Sequence, residues 1–228
     1  MWNGDAVRLT ELPPDEPKLP YDAEVEYLES DGGRYIDTGV MSGASGLVIE
    51  ARLYYDRYRS AYQPFFGARK DEASQCVRLI LQGSNNGMCY ATPGGRSGAS
   101  KGLDFASAVW HDVRYDCDEM SAIIDGATAR QTDRGSAYSA SMRLFGLGGS
   151  ATSIAQAGTR IASFKTWLND VLVRDFIPVR VGSVGYLYDR ANPTGGPLGN
   201  GLYGNFSDGK GGVTGFPANL VGPDKPKP

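Results

Sequence analysis

Three carboxylates at alternate positions near the start of the chain have the spacing of catalytic residues. Asp22, Glu24 and Glu26 are each separated by one residue, and alternate side chains of a β-strand point to the same face of a sheet. Two carboxylates on one face can hydrolyse a glycosidic bond, one as nucleophile and the other as general acid. The other interpretation is a charged strand at a sheet edge, where charges prevent pairing with further chains.

The only histidine and a cysteine that follows it are the residues with potential for nucleophilic catalysis. His111 comes directly after Trp110 in a strand-like segment, and Cys117 follows in the same region. The sequence has no G-x-S-x-G nucleophile elbow, and strand spacing alone gives no evidence that His111 contacts Cys117. We therefore expect a hydrogen-bonded or surface histidine rather than a general base.

The sequence offers little for a metal ion. Asp116, Asp118 and Glu119 form an acidic turn, but calcium takes about six to eight oxygens from several loops, so we expect a solvated turn. A zinc site needs closely spaced Cys or His ligands. The chain has three widely spaced cysteines, Cys76, Cys89 and Cys117. We expect them to be small core residues of a protein made in a reducing compartment. No cofactor is predicted, and calcium is the metal left open.

An aromatic run has the composition of a recognition surface. It consists of Tyr54, Tyr55, Tyr58, Tyr62, Phe65 and Phe66. Tyrosines with arginine and amide neighbours offer flat apolar faces and hydrogen-bond donors, a mixture that binds sugar rings or a partner protein. Tyr58 and Tyr62 are the candidate ligand-binding residues here. The alternative is that Phe65 and Phe66 belong to the core and the tyrosines border it.

A second possible recognition edge follows the aromatic run. Asn86 lies in an Asn-Asn-Gly turn, Tyr90 follows it, and Arg96 lies in a Gly-Gly-Arg loop. The loop is no phosphate-binding loop, because it lacks the helix and the Lys-Ser/Thr pair. Asn86, Tyr90 and Arg96 complete the set of candidate ligand-binding residues.

Composition and charge exclude several classes. The chain has 228 residues, with 23 Lys and Arg against 26 Asp and Glu. This mild acidity argues against a nucleic-acid or anionic-membrane surface, which needs clustered basic residues. No stretch approaches the roughly 18 apolar residues of a membrane-spanning helix. Residues 1–5 lack a basic region followed by an apolar run, so we expect no secretory signal.

Short strand-like segments separated by turn residues occupy most of the chain. They are Glu24–Glu29, Arg34–Asp37, Leu47–Tyr55, Gln63–Ala68, Cys76–Gln82, Trp110–Tyr115, Ser121–Ile124, Ala127–Arg130, Met142–Leu147, Ile161–Leu168 and Val171–Arg174. Asn85-Asn86-Gly87, Asp125-Gly126 and Asn169-Asp170 are predicted hairpin turns. Many of the 31 glycines lie at such turns. Many short strands without long amphipathic helices predict an all-β antiparallel sandwich or barrel.

Proline divides the chain into a principal domain and two ends. We predict a Pro-rich arm at 1–20, one β domain at 21–224 and a tail at 225–228, with a Gly/Pro-rich loop insertion at 191–215. Pro-rich ends are poorly ordered unless something holds them. We therefore expect the arm and the tail to be held by a contact, with a larger assembly as one candidate and a crystal contact as the other interpretation.

Three groups of segments resemble a known family. They are Tyr21–Ser30 with Tyr35–Gly39, Trp110–Val113 with Ile123–Gly126, and Phe164–Trp167 with Leu172–Arg180 and Gly185–Asp189. Together they resemble the concanavalin A-like (laminin-G-like) jelly-roll domain of gut-bacterial surface proteins and phage or prophage structural proteins. The resemblance covers nearly all of 21–224. It implies a two-sheet antiparallel jelly-roll sandwich that binds glycans or proteins, or serves in a virion, without catalysis.

The resemblance also bears on the acidic strand and on the C-terminal segment. Asp22, Glu24 and Glu26 lie in the family's opening strand, and their order differs from the Glu-x-Asp-x-Glu strand of jelly-roll glucanases. Since fold does not imply function, we expect no catalytic residues. Residues 191–215 replace the short closing strand usual in such relatives, so a chain-specific loop that makes contacts is expected there.

The sequence thus predicts a non-catalytic, lectin-like adhesion protein that decorates a phage head or tail and binds host-surface or mucus glycans. The expected partners are other virion or surface-assembly proteins, contacted through residues 1–20 and the tail, in a homo-oligomer or larger assembly. The expected location is the virion. The alternatives are a bacterial cell-surface or secreted carbohydrate-binding module and, third, a jelly-roll glycoside hydrolase.

Overall fold

The computed structural model describes residues 18–57, 62–69, 75–82, 88–91, 98–99, 106–119, 121–130, 139–149, 157–207 and 213–226. The strands are β1 (Ala23–Glu24), β2 (Leu28–Glu29), β3 (Arg34–Met41), β4 (Leu47–Tyr55), β5 (Tyr62–Arg69), β6 (Gln75–Gln82), β7 (Met88–Ala91), β8 (Gly98–Ala99), β9 (Trp110–Asp116), β10 (Ser121–Ile124), β11 (Ala127–Arg130), β12 (Ser141–Leu144), β13 (Thr159–Leu168), β14 (Val171–Val181), β15 (Val184–Asp189), β16 (Leu202–Tyr203), β17 (Asn205–Ser207) and β18 (Val213–Thr214). A 3₁₀ helix covers Ala218–Leu220.

The strands form two antiparallel sheets that pack together. One sheet has the order β11-β10-β9-β4-β13-β14-β15-β16, with β1 also paired to β14 and β2 to β13. The other has the order β18-β17-β3-β12-β5-β6-β7-β8. We call them the ten-stranded and the eight-stranded sheet. The predicted all-β sandwich of two antiparallel sheets is confirmed.

One hydrophobic core lies between the sheets. Phe66 of β5 meets Phe164 of β13 with ring centroids 5.4 Å apart, and Tyr55 of β4 meets Phe65 at 6.0 Å. These four rings are fully buried. Alternate residues of β4 are buried, so the intervening side chains point outward. This alternation creates the outer face described below.

Two predicted hairpins are confirmed. Asp125 and Gly126 have φ of 49° and 85° and join β10 to β11. Asn169 and Asp170 have φ of 48° and 64° and join β13 to β14. Positive φ at both central residues matches the twist of paired strands. The predicted turn at 85–87 lies outside the described residues, and the strands beside it, β6 and β7, pair antiparallel.

Two segments differ from the prediction. β14 continues beyond the predicted end at Arg174 to Val181 and includes Pro178, although proline is rare inside sheets. The strand changes neighbour there: its pairing with β13 reaches Phe176, and its pairing with β1 begins at Val179. Residues 191–215, predicted as a loop insertion, contain the short strands β16, β17 and β18.

The start of the tail is held by the chain itself. The backbone N–H of Lys225 donates to the carbonyl oxygen of Glu24 at 2.9 Å, and the Lys225 ammonium lies 3.5 Å from the Glu24 carboxylate. Arg180 donates two hydrogen bonds of 2.6 Å to Asp224. Lys225 therefore needs no assembly to hold it. Residues 1–17, most of the predicted arm, and 227–228 lie outside the described residues.

Candidate functional site

Among the described residues, the outer face of β9, β4 and β13 combines aromatic rings, ion pairs and hollows. Three hollows of about 380, 380 and 180 Å³ lie along it; the first two share Ser163, and the last two share Arg114. We call this continuous surface the outer trough. Its outward side chains include Trp110, Asp112 and Arg114 of β9, Val48, Glu50, Arg52 and Tyr54 of β4, and Arg160, Ser163, Lys165 and Trp167 of β13.

Aromatic rings and an arginine form one end of the outer trough. The Trp110 ring lies 5.4 Å from Tyr54 and 6.1 Å from Tyr27, between centroids. The Arg160 guanidinium lies over the rings of Tyr27 and Tyr54 at 4.3 and 4.8 Å, and its Nε donates to Glu29 at 2.7 Å. Cation–π contacts and the ion pair fix the rings in place.

A polar hollow of about 380 Å³ opens beside Trp110. It is lined by Glu26, Arg52, Trp110, Ala162, Ser163 and Lys225. Arg52 lies 5.9 Å from the centre of the Trp110 ring and donates to both carboxylate oxygens of Asp112, at 3.0 and 2.8 Å. The hollow therefore combines a large apolar ring with donors and acceptors, which is the usual chemistry of a small-molecule site.

Ion pairs between neighbouring strands form the middle of the outer trough. Arg114 of β9 pairs with Glu50 of β4 at 2.5 Å. Lys165 of β13 lies 3.9 Å from Asp175 of β14, which also pairs with Arg190 at 2.9 Å. The positive and negative side chains thus neutralise one another in pairs along this surface.

The far end of the outer trough combines apolar and charged side chains. Val48, Trp167 and Leu172 lie opposite one another on adjacent strands, and Leu172 is 38% exposed. A hollow of about 180 Å³ here is lined by Val48, Arg114, Trp167 and Asp170. Trp110 is paired with Tyr54 and Trp167 with Val48. The corresponding stretch of β4 spans about 20 Å, so the two tryptophans mark opposite ends.

Those predicted ligand-binding residues that the structure describes do not belong to the outer trough. Tyr62 lies in β5 and Tyr90 in β7, which are strands of the eight-stranded sheet. Tyr58, Asn86 and Arg96 lie outside the described residues. The role of these five residues therefore stays a prediction.

The rest of the aromatic run divides between core and surface. Tyr55, Phe65 and Phe66 are fully buried, which confirms the core interpretation of both phenylalanines. Tyr55 also belongs to the core instead of bordering it. Tyr54 is half-buried on the outer trough. The alternation of β4 explains why adjacent tyrosines differ.

The three N-terminal carboxylates have separate surroundings. Asp22 accepts a hydrogen bond from the N–H of Gly182 at 2.6 Å, and Glu24 lies 3.5 Å from the Lys225 ammonium. Glu26 lines the hollow beside Trp110. Asp22 and Glu24 therefore help to hold neighbouring segments together.

The histidine is hydrogen-bonded, as the sequence led us to expect. His111 is buried; its Nδ1 lies 2.6 Å from Asp125 and its Nε2 lies 2.8 Å from the carbonyl oxygen of Ala106. Both ring nitrogens thus face acceptors. Cys117 is buried with its thiol free, and this burial raises the pKa of the thiol well above its ordinary value. A protonated thiol is a poor nucleophile.

The acidic turn uses its carboxylates locally. Asp116 accepts hydrogen bonds from the N–H groups of Asp118 and Glu119 at 3.1 and 2.9 Å, and Asp118 accepts one from Gly46 at 3.0 Å. Within the described ranges, no group of three or more His, Cys, Asp or Glu side chains is arranged to hold a metal ion. The same part of the chain contains no helix that is long and apolar enough to cross a membrane.

No protein-family model matches the chain, and no curated protein matches it in sequence. Among solved structures, it is similar to a putative carbohydrate binding protein from Bacteroides ovatus, at 12% identity and a TM-score of 0.51, with 87% of this chain and 62% of that chain covered. It is also similar to the full extracellular region of zebrafish Gpr126/Adgrg6, at 10% identity and a TM-score of 0.47, with 80% and 26% covered. The likeness is one of fold. The chain spans less than two thirds of either neighbour.

Sequence reasoning missed Trp110 as a surface residue, although the signal was present. Trp110, Asp112 and Arg114 occupy alternate positions of β9, and the residues between them are buried. A tryptophan two and four residues before charged residues of the same strand lies on their outward face. By contrast, no local pattern shows that Arg160 covers Tyr27 and Tyr54, because these residues come from different parts of the chain.

Proposed function

We propose that this chain is a non-catalytic, lectin-like module that binds carbohydrate in the outer trough. The observation that carries the proposal is the half-buried Trp110, whose ring lines an open hollow beside Arg52, Glu26 and Lys225. A sugar ring has an apolar face of C–H groups and an edge of hydroxyls. The indole can pack against the face, while charged side chains donate and accept hydrogen bonds at the edge.

The fold supports this proposal independently. The Bacteroides ovatus neighbour is described as a putative carbohydrate binding protein, and the sequence motifs resemble the concanavalin A-like jelly roll. Because the identity to that neighbour is 12%, the likeness supports a ligand class and assigns no residues. The outer trough is the surface that we propose for such a ligand.

The non-catalytic part of the proposal rests on side-chain surroundings. Asp22 and Glu24 are bound to Gly182 and Lys225, so the acidic strand is not a free row of three carboxylates. His111 has both ring nitrogens engaged. These contacts support binding without bond cleavage. The matching test is incubation with the bound glycan, from which we expect no release of reducing ends.

The place of action is a further part of the proposal. We retain a phage virion decoration, because the motif resemblance includes phage structural proteins, with a bacterial cell-surface or secreted module as the alternative. Neighbouring capsid or tail genes and co-purification with particles would support the virion. A signal sequence or an attached catalytic domain in the native gene would support the alternative.

The carbohydrate proposal is tested by glycan-array screening followed by calorimetry on Trp110→Ala. The matched control is Tyr35→Ala, because Tyr35 lies under the Arg143 guanidinium at 3.8 Å on β3 of the eight-stranded sheet. We expect Trp110→Ala to weaken binding about tenfold or more and Tyr35→Ala to leave it unchanged. Absence of glycan binding, or equal effects of the two variants, would overturn the proposal.

A further inference from the structure

Building on the proposed function, we infer that the outer trough takes a neutral, extended oligosaccharide that contacts Trp110 at one end and Trp167 at the other. The inference concerns the length and the charge of the ligand. It excludes a monosaccharide, a disaccharide or an acidic polysaccharide as the best ligand.

The length follows from the strand register. Trp110 is opposite Tyr54 and Trp167 is opposite Val48 on the two sides of β4. This separation of about 20 Å along the strand is several sugar units long. Neighbouring hollows between the two rings share a lining residue, Ser163 for one pair and Arg114 for the other. One extended chain can therefore occupy the whole trough.

Small residues lie in the outer trough beside the Trp110 ring. Ala162 and Ser163 lie at a register shift in β13, between Ile161 and Ser163, where a bulge re-aims the side chains of a strand. The neighbouring hollow is lined by Glu50, Arg114 and Lys165 beside Gly126. A ligand that stacks on Trp110 therefore meets small side chains first and charged hydrogen-bonding groups next.

The far end of the trough gives the second contact. Trp167 lies beside Val48 and Leu172 and lines the hollow there. Trp167 is half-buried, and the accessible part of its ring is a platform for the C–H face of a sugar ring. A ligand that reaches only Trp110 would leave this platform unused.

The ion pairs of the outer trough indicate that the ligand is neutral. Arg52 pairs with Asp112, Arg114 with Glu50, Arg160 with Glu29, Lys165 with Asp175 and Lys225 with Glu24. Glu26 adds a further carboxylate to the first hollow. A uronate or sulfate group would compete with these carboxylates and lie close to them. Hydroxyl groups can join the same ion pairs as donors and acceptors without separating them.

The test compares ligand lengths. Neutral polysaccharides (cellulose, xylan, mannan and chitin) and acidic ones (pectate, alginate and hyaluronan) are screened first. Oligosaccharides of the bound polymer, from disaccharide to hexasaccharide, are then titrated. We expect a neutral polymer to bind, with affinity that rises about tenfold or more from disaccharide to hexasaccharide. The affinity should change little between low and high salt, because a neutral ligand forms no ion pairs that salt can screen.

The variants separate this inference from the proposed function. Trp167→Ala should lower hexasaccharide affinity about tenfold, to the disaccharide value, and leave disaccharide affinity unchanged, while Tyr35→Ala changes neither. If Trp110→Ala weakens binding but Trp167→Ala does not, the length inference is wrong and the proposed function stands. Preference for an acidic polymer would overturn the charge inference. Failure of every glycan to bind would overturn both, as would self-association of the chain through the trough.

Discussion

The outer face of the ten-stranded sheet has two halves that differ in whether other segments of the chain pack over their outward side chains. On β14 and β15, the outward residues Ile177, Val179 and Tyr188 are apolar and buried, with Tyr21, Tyr186 and Leu202 packed against them. On β9, β4 and β13, the outward residues are mainly ion pairs and half-buried rings, with hollows beside them in the described part of the chain. Among the described residues, other segments of the chain pack over the first half (the closed half), and the second half (the open half) keeps hollows beside its rings.

The covering of the closed half depends on how the chain turns after β15. Asp189 is fully buried and accepts hydrogen bonds from the N–H groups of Asp175 and Ala191 at 3.0 and 3.1 Å. Arg190 then binds Asp175. At Gly201, φ is 73°, and an added Cβ would lie 2.8 Å from the Tyr188 ring. These contacts return the chain alongside Tyr188 as the edge strand β16, in which Leu202 is paired with Tyr188.

The largest expected effect is the loss of stability when a buried side chain of the closed half is truncated. Tyr188→Ala should lower the free energy of unfolding by about 3 kcal/mol, because it removes a buried ring from beneath Tyr21 and Leu202. Denaturant unfolding measures the loss. A loss below about 1 kcal/mol would contradict the description of this half as closed.

A smaller loss of unfolding free energy is expected at Asp189, in the turn that follows β15. Asp189→Ala leaves two backbone N–H groups without their acceptor and should cost about 2 kcal/mol. Asp189→Asn is the control, because the amide keeps one oxygen acceptor, and it should cost less. Equal losses for the two variants, or a weakened glycan affinity at the trough, would contradict the role of Asp189 as the hydrogen-bond acceptor of this turn.

The open half should tolerate truncation. Trp110→Ala should change the free energy of unfolding by about 1 kcal/mol or less, since its ring is half-buried and lies outside the main core. Chemical denaturation of Trp110→Ala beside Tyr188→Ala makes the comparison direct. Equal destabilisation by both variants would show that the two halves do not differ.

The smallest expected effect concerns the chain end beside β14. Hydrogen bonds from Arg180 lower the pKa of Asp224 below its ordinary 3.8. Because the folded-state pKa is lowered, the pair contributes stability above the ordinary pKa and loses it as the pH falls through the lowered value. Asp224→Asn should therefore lower the melting temperature slightly at neutral pH and not at about pH 2. A difference that persists in acid would contradict this origin.

The elements were easier to predict than the site. The alternation of Leu47–Tyr55 and the turns at Asp125-Gly126 and Asn169-Asp170 are local patterns, and the structure has them at those positions. The trough depends on β4 lying between β9 and β13, a neighbourhood that connects distant segments. The packing over the closed half could not be predicted for the same reason. Residues 191–203 lack an alternating pattern, and the contacts of Asp189 with Asp175 and Ala191 fix where this segment begins.

The most direct test of the account is the affinity of Trp110→Ala, relative to Tyr35→Ala, for the glycan that the unmodified chain binds. Both variants lose a ring that contacts an arginine, one on the open half of the ten-stranded sheet and one on the eight-stranded sheet. The account predicts a loss of about tenfold or more for Trp110→Ala and none for Tyr35→Ala. Unchanged affinity in Trp110→Ala would contradict the assignment of the ligand to the outer trough.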